Sequence, residues 1–153
     1  MAGRLEELAY SLSLRALAQQ ENVVEELRAR TGALLTAAAV VTSFLGARAL
    51  DRPNDHWLAL VGLGLAILSI LLAVYVLAPK SDLDFALSGP AVYEHFATED
   101  AELAEVHRTL TYWNQDAWES NQGVIDGLVA AFRWACLALV LAVAIWSFQL
   151  ALD

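Results

Sequence analysis

The sequence predicts an all-α membrane protein with three transmembrane helices and two cytosolic helical extensions that form a bundle. Three observations support this prediction. The chain of 153 residues is 58% hydrophobic, which is too apolar for an ordinary soluble domain. Three apolar runs approach or exceed the roughly 20 residues that a helix needs to cross a bilayer. No run resembles a strand flanked by turns.

Residues 1–30 are predicted to form a cytosolic amphipathic helix. Apolar residues recur there at steps of three and four and are interleaved with charge, as an amphipathic helix requires. These residues are Leu5, Leu8, Leu12, Ala16, Val23 and Leu27. The stretch before the first apolar run is rich in glutamate, whereas a secretory signal peptide begins with a basic region. We therefore expect the N-terminus to be retained.

A transmembrane hairpin is predicted over residues 31–78, with spans at about 31–50 and 57–78. The second span contains 22 residues without a charge, and it begins with Trp57, a residue type that favours the membrane interface. Pro53 and Asn54 lie between the two spans and indicate a short turn at the membrane surface.

The region from 79 to 133 is predicted to be a cytosolic linker followed by a helix. Ser88, Gly89 and Pro90 are typical of a helix start, because proline is favoured in the first helical turn. A second helix start is predicted at Thr98.

The third transmembrane helix is predicted at residues 134–152. Four residues that weaken helix propensity precede it, so the sequence is compatible with either a bend or a continuous helix before the span. They are Asn121, Gln122, Gly123 and Gly127.

An apolar stripe on the second cytosolic helix needs a partner surface. It consists of Leu103, Val106, Leu110, Trp113 and Ala117. We interpret the stripe as the coiled-coil seam of a homo-oligomer. The aromatic residues Tyr112, Trp113 and Trp118 on this helix are expected to fill the seam against the N-terminal helix rather than stack on a ligand base.

Small residues recur at four-residue steps on the first span, at Ala38, Thr42 and Gly46. Such residues let helices approach closely, so tight packing is the favoured interpretation. The alternative is a pore face in an oligomer, since hydroxyl groups are stable against a wet lumen.

Basic residues predict the orientation of the chain. With the N-terminus inside, seven lysine and arginine residues lie on the inner side and two on the outer side, which favours an inner N-terminus and an outer C-terminus. Arg28 and Arg30 are interpreted as topology signals, with headgroup or phosphate binding as the alternative. Asp126 and Arg133 are interpreted as interface residues rather than as a gate or ligand site.

The net charge and the absence of certain motifs argue against several classes of function. A net charge of -9 does not fit nucleic-acid binding. Glu105, His95 and His107 lack the Glu-x-x-His spacing of carboxylate-bridged metal helices, so no metal is predicted. No nucleophile motif or phosphate-binding glycine loop occurs, and no cofactor and no enzymatic activity are expected.

The order of the segments resembles known membrane proteins. The runs ELRARTGALLTAAAVVTSFLGA, VYVLAPK and AELAEVHRTLTYW resemble small three-span membrane proteins of high-GC bacteria. More distantly, the layout is similar to the Pycsar-type transmembrane effectors of antiphage defence. This resemblance implies a membrane-perturbing effector in the bacterial inner membrane. A nucleotide ligand is left open, because no nucleotide-sensing domain is evident.

Two functional hypotheses follow from these features. The first is a homo-oligomeric, pore-forming or membrane-perturbing effector whose cytosolic helices form a bundle. The second is a passive membrane scaffold or accessory subunit whose acidic cytosolic helices dock a basic protein partner. An enzyme ranks last, because the spans contain almost no paired ionisable residues.

Overall fold

A computed structural model describes residues 2–51, 56–97 and 102–151, and most of these residues are helical. Helix α1 covers Ala2–Val41, a π-helical turn covers Thr42–Gly46, and helix α2 covers Ala47–Leu50. Helices α3, α4 and α5 cover His56–Leu77, Gly89–Phe96 and Leu103–Ala151. No strand occurs among the described residues, which confirms the all-helical class.

Three helical stretches are long and apolar enough to cross a membrane. They are Gly3–Leu50, Trp57–Leu77 and Leu103–Ala151, with 48, 21 and 49 residues. The first and third are more than twice the roughly 20 residues that a bilayer requires, so each carries a further helical segment outside its apolar part. Helix α5 runs without interruption through Asn121–Gly127, where the sequence leaves a bend open.

The start of α4 is the one that the sequence predicts. Ser88 is extended and precedes the helix, its carbonyl oxygen accepts from the Val92 N–H at 3.0 Å, and Pro90 lies in the first turn. Proline is tolerated there because its missing N–H would have no helical partner. The predicted helix start at Thr98 and the turn at Pro53 and Asn54 lie outside the described residues.

The chain divides into two compact units. The first, here called the polar unit, comprises Met1–Glu25 and Lys80–Asp126. The second, here called the membrane unit, comprises Glu26–Pro79 and Gly127–Asp153. Helices α1 and α5 contribute residues to both units.

Alanine is the commonest buried residue of the membrane unit, and Gly46 and Gly62 are buried there as well. Its buried cluster consists of Ala49, Ala59, Ala66, Ala142 and Trp146. Small side chains let the backbones approach closely, which matters in lipid because no hydrophobic effect draws apolar helices together there. Trp146 is the one large side chain of the cluster and is fully buried.

Trp146 occupies space that two glycines leave open. A Cβ atom on Gly62 of α3 would lie 2.8 Å from Cδ1 of the indole, and one on Gly46 would lie 3.2 Å from Cη2. The indole N–H also donates to the Ala59 carbonyl oxygen at 3.2 Å. The indole therefore joins α5 both to α3 and to the end of the π-helical turn.

Two further hydrogen bonds connect α5 to its neighbours in this unit. The Ser69 hydroxyl donates to the Ala135 carbonyl oxygen at 2.8 Å, and Gln149 Nε2 donates to the Ala49 carbonyl oxygen at 3.2 Å. Side-chain bonds between membrane helices contribute about 0.6 kcal/mol on average. Their role is mainly to fix the register of α5 against α2 and α3.

Candidate functional site

Helices α1 and α5 run in the same direction within the polar unit. The ring of Tyr10 stacks on His107 with centroids 5.3 Å apart, and Asn114 Nδ2 donates to the Ser13 hydroxyl at 2.9 Å. Later residues of α1 therefore contact later residues of α5, as in a parallel helix pair. The buried apolar residues of this pairing are Leu17, Val24, Leu110 and Ile125. Together with the buried amides Gln20, Asn114 and Asn121, they recur at steps of three, four and seven residues, which is the spacing of a parallel coiled-coil seam.

A buried amide connects three segments of the polar unit. Asn121 of α5 is fully buried, and its side chain holds the linker at Asp84 through two bonds. The Asp84 N–H donates to Asn121 Oδ1 at 3.0 Å, and Asn121 Nδ2 donates to the Asp84 carbonyl oxygen at 2.8 Å. Asn121 Nδ2 also donates to Gln20 Oε1 at 3.3 Å. We call this group the Asn121 clamp.

Gln20 extends the Asn121 clamp across α1. Its Nε2 donates to the Trp118 carbonyl oxygen at 3.0 Å and to Gln122 Oε1 at 3.2 Å. A buried amide without partners would cost about 1–3 kcal/mol, so the shared bonds are what make this polar layer tolerable. A polar layer inside an apolar seam also disfavours other registers of the two helices.

The sequence interpretation missed the Asn121 clamp. Asn121 stands out only as a residue of low helix propensity, which suggested a bend. The available signal was its place in the heptad spacing of Asn114, Asn121 and Leu128, which predicts burial of an amide. Its partner in the linker lies 37 residues away, and no local pattern indicates that contact.

The five residues of the predicted oligomer seam differ in their burial and in their contacts. Leu110 is buried, Val106 and Ala117 are half-buried, and Leu103 is 68% exposed. Trp113 contacts α4, with its ring centroid 5.0 Å from that of His95 and 6.2 Å from that of Phe96. The five residues therefore do not form one open stripe, because part of the row already packs within the polar unit.

One open side of the polar unit is lined by α1 and α5. A groove of about 510 Å³ lies between the two helices. Its lining consists of Ala16, Gln19, Gln20, Val23, Gln115, Trp118, Gln122 and Ile125. Toward the beginning of α1 the same helix face continues as Leu5, Leu8 and Leu12, which are 67%, 55% and 53% exposed. We call the groove and these three leucines the open face.

The open face carries no charge, although the polar unit is strongly acidic. Among the described residues of this unit 12 are acidic and 4 are basic. None of the 12 acidic residues lines the groove or belongs to the leucine row. Exposed leucines at heptad spacing, rimmed by neutral glutamines, have the character of a helix-packing surface.

The small residues of the first span point in different directions. Ala38 and Gly46 are buried within the membrane unit, and Thr42 is half-buried with its hydroxyl group enclosed. Thr36 and Ser43 are exposed instead, and each hydroxyl donates to the carbonyl oxygen four residues earlier. Ala38 and Gly46 thus contact their own chain, whereas Thr36 and Ser43 face outward.

The histidines that invited a metal interpretation make aromatic contacts. His95 lies against Trp113, and His107 stacks on Tyr10. Within the part of the chain that the structure describes, no three His, Cys, Asp or Glu side chains are grouped to hold a metal ion.

The described residues define an all-helical protein with three helices long and apolar enough to span a membrane. No protein-family model, curated protein or solved structure matches this chain. Its function is therefore inferred from its own residues and contacts.

Proposed function

We propose that the chain is a homo-oligomeric membrane protein that perturbs the bilayer when its copies assemble, as an effector of bacterial antiphage defence. The observation that carries this proposal is the uncharged open face on an acidic unit. Two polar units of like charge repel one another over most of their surfaces. The open face is the surface through which they can meet without placing carboxylates together.

Membrane anchoring favours this pairing of identical surfaces. Copies inserted in one bilayer share the same orientation, so the leucine row of one copy lies at the same height as that of the next. A rotation axis along the membrane normal then closes the assembly, as is usual for homo-oligomers. Leu5, Leu8 and Leu12 would pack against neighbouring copies in such an assembly.

The surface of the spans supports assembly within the membrane as well. Only 17%, 28% and 33% of the residues in the most apolar windows of the three helices are buried, so most of their surface is open to lipid or to a neighbouring copy. An exposed or half-buried row of small residues runs along α1 and beyond it, at Gly32, Thr36, Ala39, Ser43 and Ala47. Small residues allow close helix contact, and the two hydroxyl-bearing ones suit a hydrated path between copies.

Dye release from liposomes tests the proposal. Purified protein is reconstituted into dye-loaded vesicles, alone and with cyclic nucleotides, and oligomer size is scored by crosslinking in the same sample. Leu12→Gln places an amide in the leucine row. Leu14→Gln makes the same change at an exposed leucine of α1 that lies outside the row, and serves as the matched control.

Wild-type protein and Leu14→Gln are expected to release dye and to crosslink as one defined oligomer. Leu12→Gln is expected to lose both properties, because its amide must be desolvated at the contact. Vesicles that stay intact with wild-type protein under every condition would contradict the effector proposal.

A membrane scaffold is the second candidate, favoured by the excess of acidic residues on the polar unit. In that case the charged surfaces dock a basic protein, and electrostatic attraction makes the complex sensitive to salt. A partner that is retained at low salt and lost at high salt, together with intact vesicles, is the outcome expected of a scaffold.

A further inference from the structure

The charge of the membrane unit is opposite to that of the polar unit. Among the described residues it contains four basic and two acidic side chains. Arg30 forms an ion pair with Glu26, and the second acidic residue, Asp51, comes after the first span. Arg28 and Arg133 have no carboxylate partner within the described part of this unit.

Arg133 borders a hollow on the outer surface of α5. The hollow has a volume of about 310 Å³ and is lined by Ala130, Arg133, Trp134 and Leu137. Arg133 is exposed, and Trp134 is 63% exposed. Side chains on a helix lean toward its N-terminus, so both long side chains reach back over the small Ala130 and form the walls.

An apolar strip continues from the hollow along the same helix. Leu137, Val140, Leu141 and Phe148 are exposed at three-, four- and seven-residue intervals on the apolar segment of α5. A cation with an aromatic ring beside it, followed by an apolar strip, matches the order of groups in a phospholipid. The phosphate would meet the guanidinium, and an acyl chain would follow the strip.

We propose that the Arg133–Trp134 hollow binds an anionic phospholipid, with its phosphate on Arg133 and an acyl chain along Leu137 and Leu141. The preference for a net negative headgroup comes from the charge of Arg133, which has no carboxylate partner among the described residues of this unit. The site does not depend on whether the protein perturbs membranes.

Lipid retention measures this preference directly. The protein is exchanged into micelles containing equal amounts of phosphatidylglycerol and phosphatidylcholine, repurified, and analysed for bound lipid by native mass spectrometry. Wild-type protein is expected to retain phosphatidylglycerol about fivefold over phosphatidylcholine, the ratio expected for one arginine near a membrane surface. Arg133→Gln is expected to bring the ratio close to one, and Arg133→Lys to preserve most of it.

Arg30→Gln is the matched control, because Arg30 is already paired with Glu26. It is expected to retain the wild-type ratio. Soluble glycerol 3-phosphate is not expected to displace the lipid, since it lacks the acyl chain that contacts Leu137. The proposal is overturned if Arg133→Gln, with an unchanged circular dichroism spectrum, keeps the wild-type ratio. It is also overturned if Arg30→Gln lowers the ratio equally, or if glycerol 3-phosphate displaces the lipid.

Discussion

Trp146 and Asn121 are the two residues whose surroundings fix most of the local geometry. Trp146 depends on the absence of side chains at Gly46 and Gly62, and it gives a single hydrogen bond to Ala59. Asn121 depends instead on polar partners that it shares with α1 and the linker. The first contact is controlled by volume and the second by hydrogen bonding, so each calls for a different substitution.

A methyl group at Gly62 should displace the indole of Trp146. We expect Gly62→Ala to lower the free energy of unfolding by about 1–3 kcal/mol, the usual cost of overpacking. Gly64→Ala is the control, because a Cβ atom there meets nothing within 4 Å. Unfolding is followed by circular dichroism during titration with sodium dodecyl sulfate in mixed micelles. Equal effects of the two substitutions would refute the importance of the indole contact.

Removing the Asn121 amide should release the linker. We expect Asn121→Ala to cost about 1–3 kcal/mol of stability, since the polar groups of Asp84 and Gln20 lose buried partners. Hydrogen exchange at the Asp84 amide should become faster. Ser120→Ala, at an exposed neighbouring position, should change neither quantity. An unchanged Asp84 exchange rate in Asn121→Ala would show that other contacts hold the linker.

At the scale of elements, α5 is the longest helix of the chain, with 49 residues. Gly123 and Gly127 lie within it, and neither has a neighbouring atom within 4 Å of an added Cβ. Glycine there has no packing role in the single chain. It only lowers helix propensity, by about 1 kcal/mol per residue relative to alanine in a solvated helix.

Alanine at these two positions should therefore stabilise α5. We expect Gly123→Ala and Gly127→Ala each to raise the unfolding midpoint, as measured by thermal circular dichroism in detergent. A clear decrease with either variant would indicate that the glycine is needed for a bend or for contact with another copy.

The sequence predicts those elements that local patterns control. Apolar runs identify the three long helices, and Ser88 with Pro90 marks the beginning of α4. The π-helical turn at Thr42–Gly46 was not predicted, because no residue pattern distinguishes it from an α-helical turn. Its position next to the Gly46–Trp146 contact becomes evident only from the fold.

The candidate site was predicted less well than the helices. Both Leu5 and Leu103 belong to periodic apolar rows, and periodicity cannot tell which row packs within the chain. The short helix α4 packs against the row that begins at Leu103, through contacts of His95 and Phe96 with Trp113. The row at Leu5, Leu8 and Leu12 was interpreted only as one side of an amphipathic helix, although it is the more exposed of the two.

At the scale of the whole molecule, charge divides the chain as clearly as hydropathy does. The polar unit has 12 acidic and 4 basic described residues, whereas the membrane unit has 2 acidic and 4 basic ones. Acidic residues contribute little to topology, so the basic residues flanking the spans determine the predicted orientation.

The orientation is tested with reporter fusions at the two ends of the chain. We expect alkaline phosphatase fused after the last residue to be active, because the enzyme folds only outside the cytoplasm. Green fluorescent protein fused before the first residue should fluoresce, since it matures inside. An inactive phosphatase at the C-terminus together with a non-fluorescent protein at the N-terminus would reverse the orientation that the lysine and arginine residues predict.

Cysteine crosslinking in native membranes tests the central claim, assembly through the open face, most directly. In a Cys136→Ala background, Leu12→Cys places a thiol in the leucine row and Leu14→Cys places one outside it. A short bifunctional thiol reagent should join copies through position 12 rapidly and through position 14 slowly. Equal rates at the two positions, or no crosslinking at position 12, would contradict assembly through this surface.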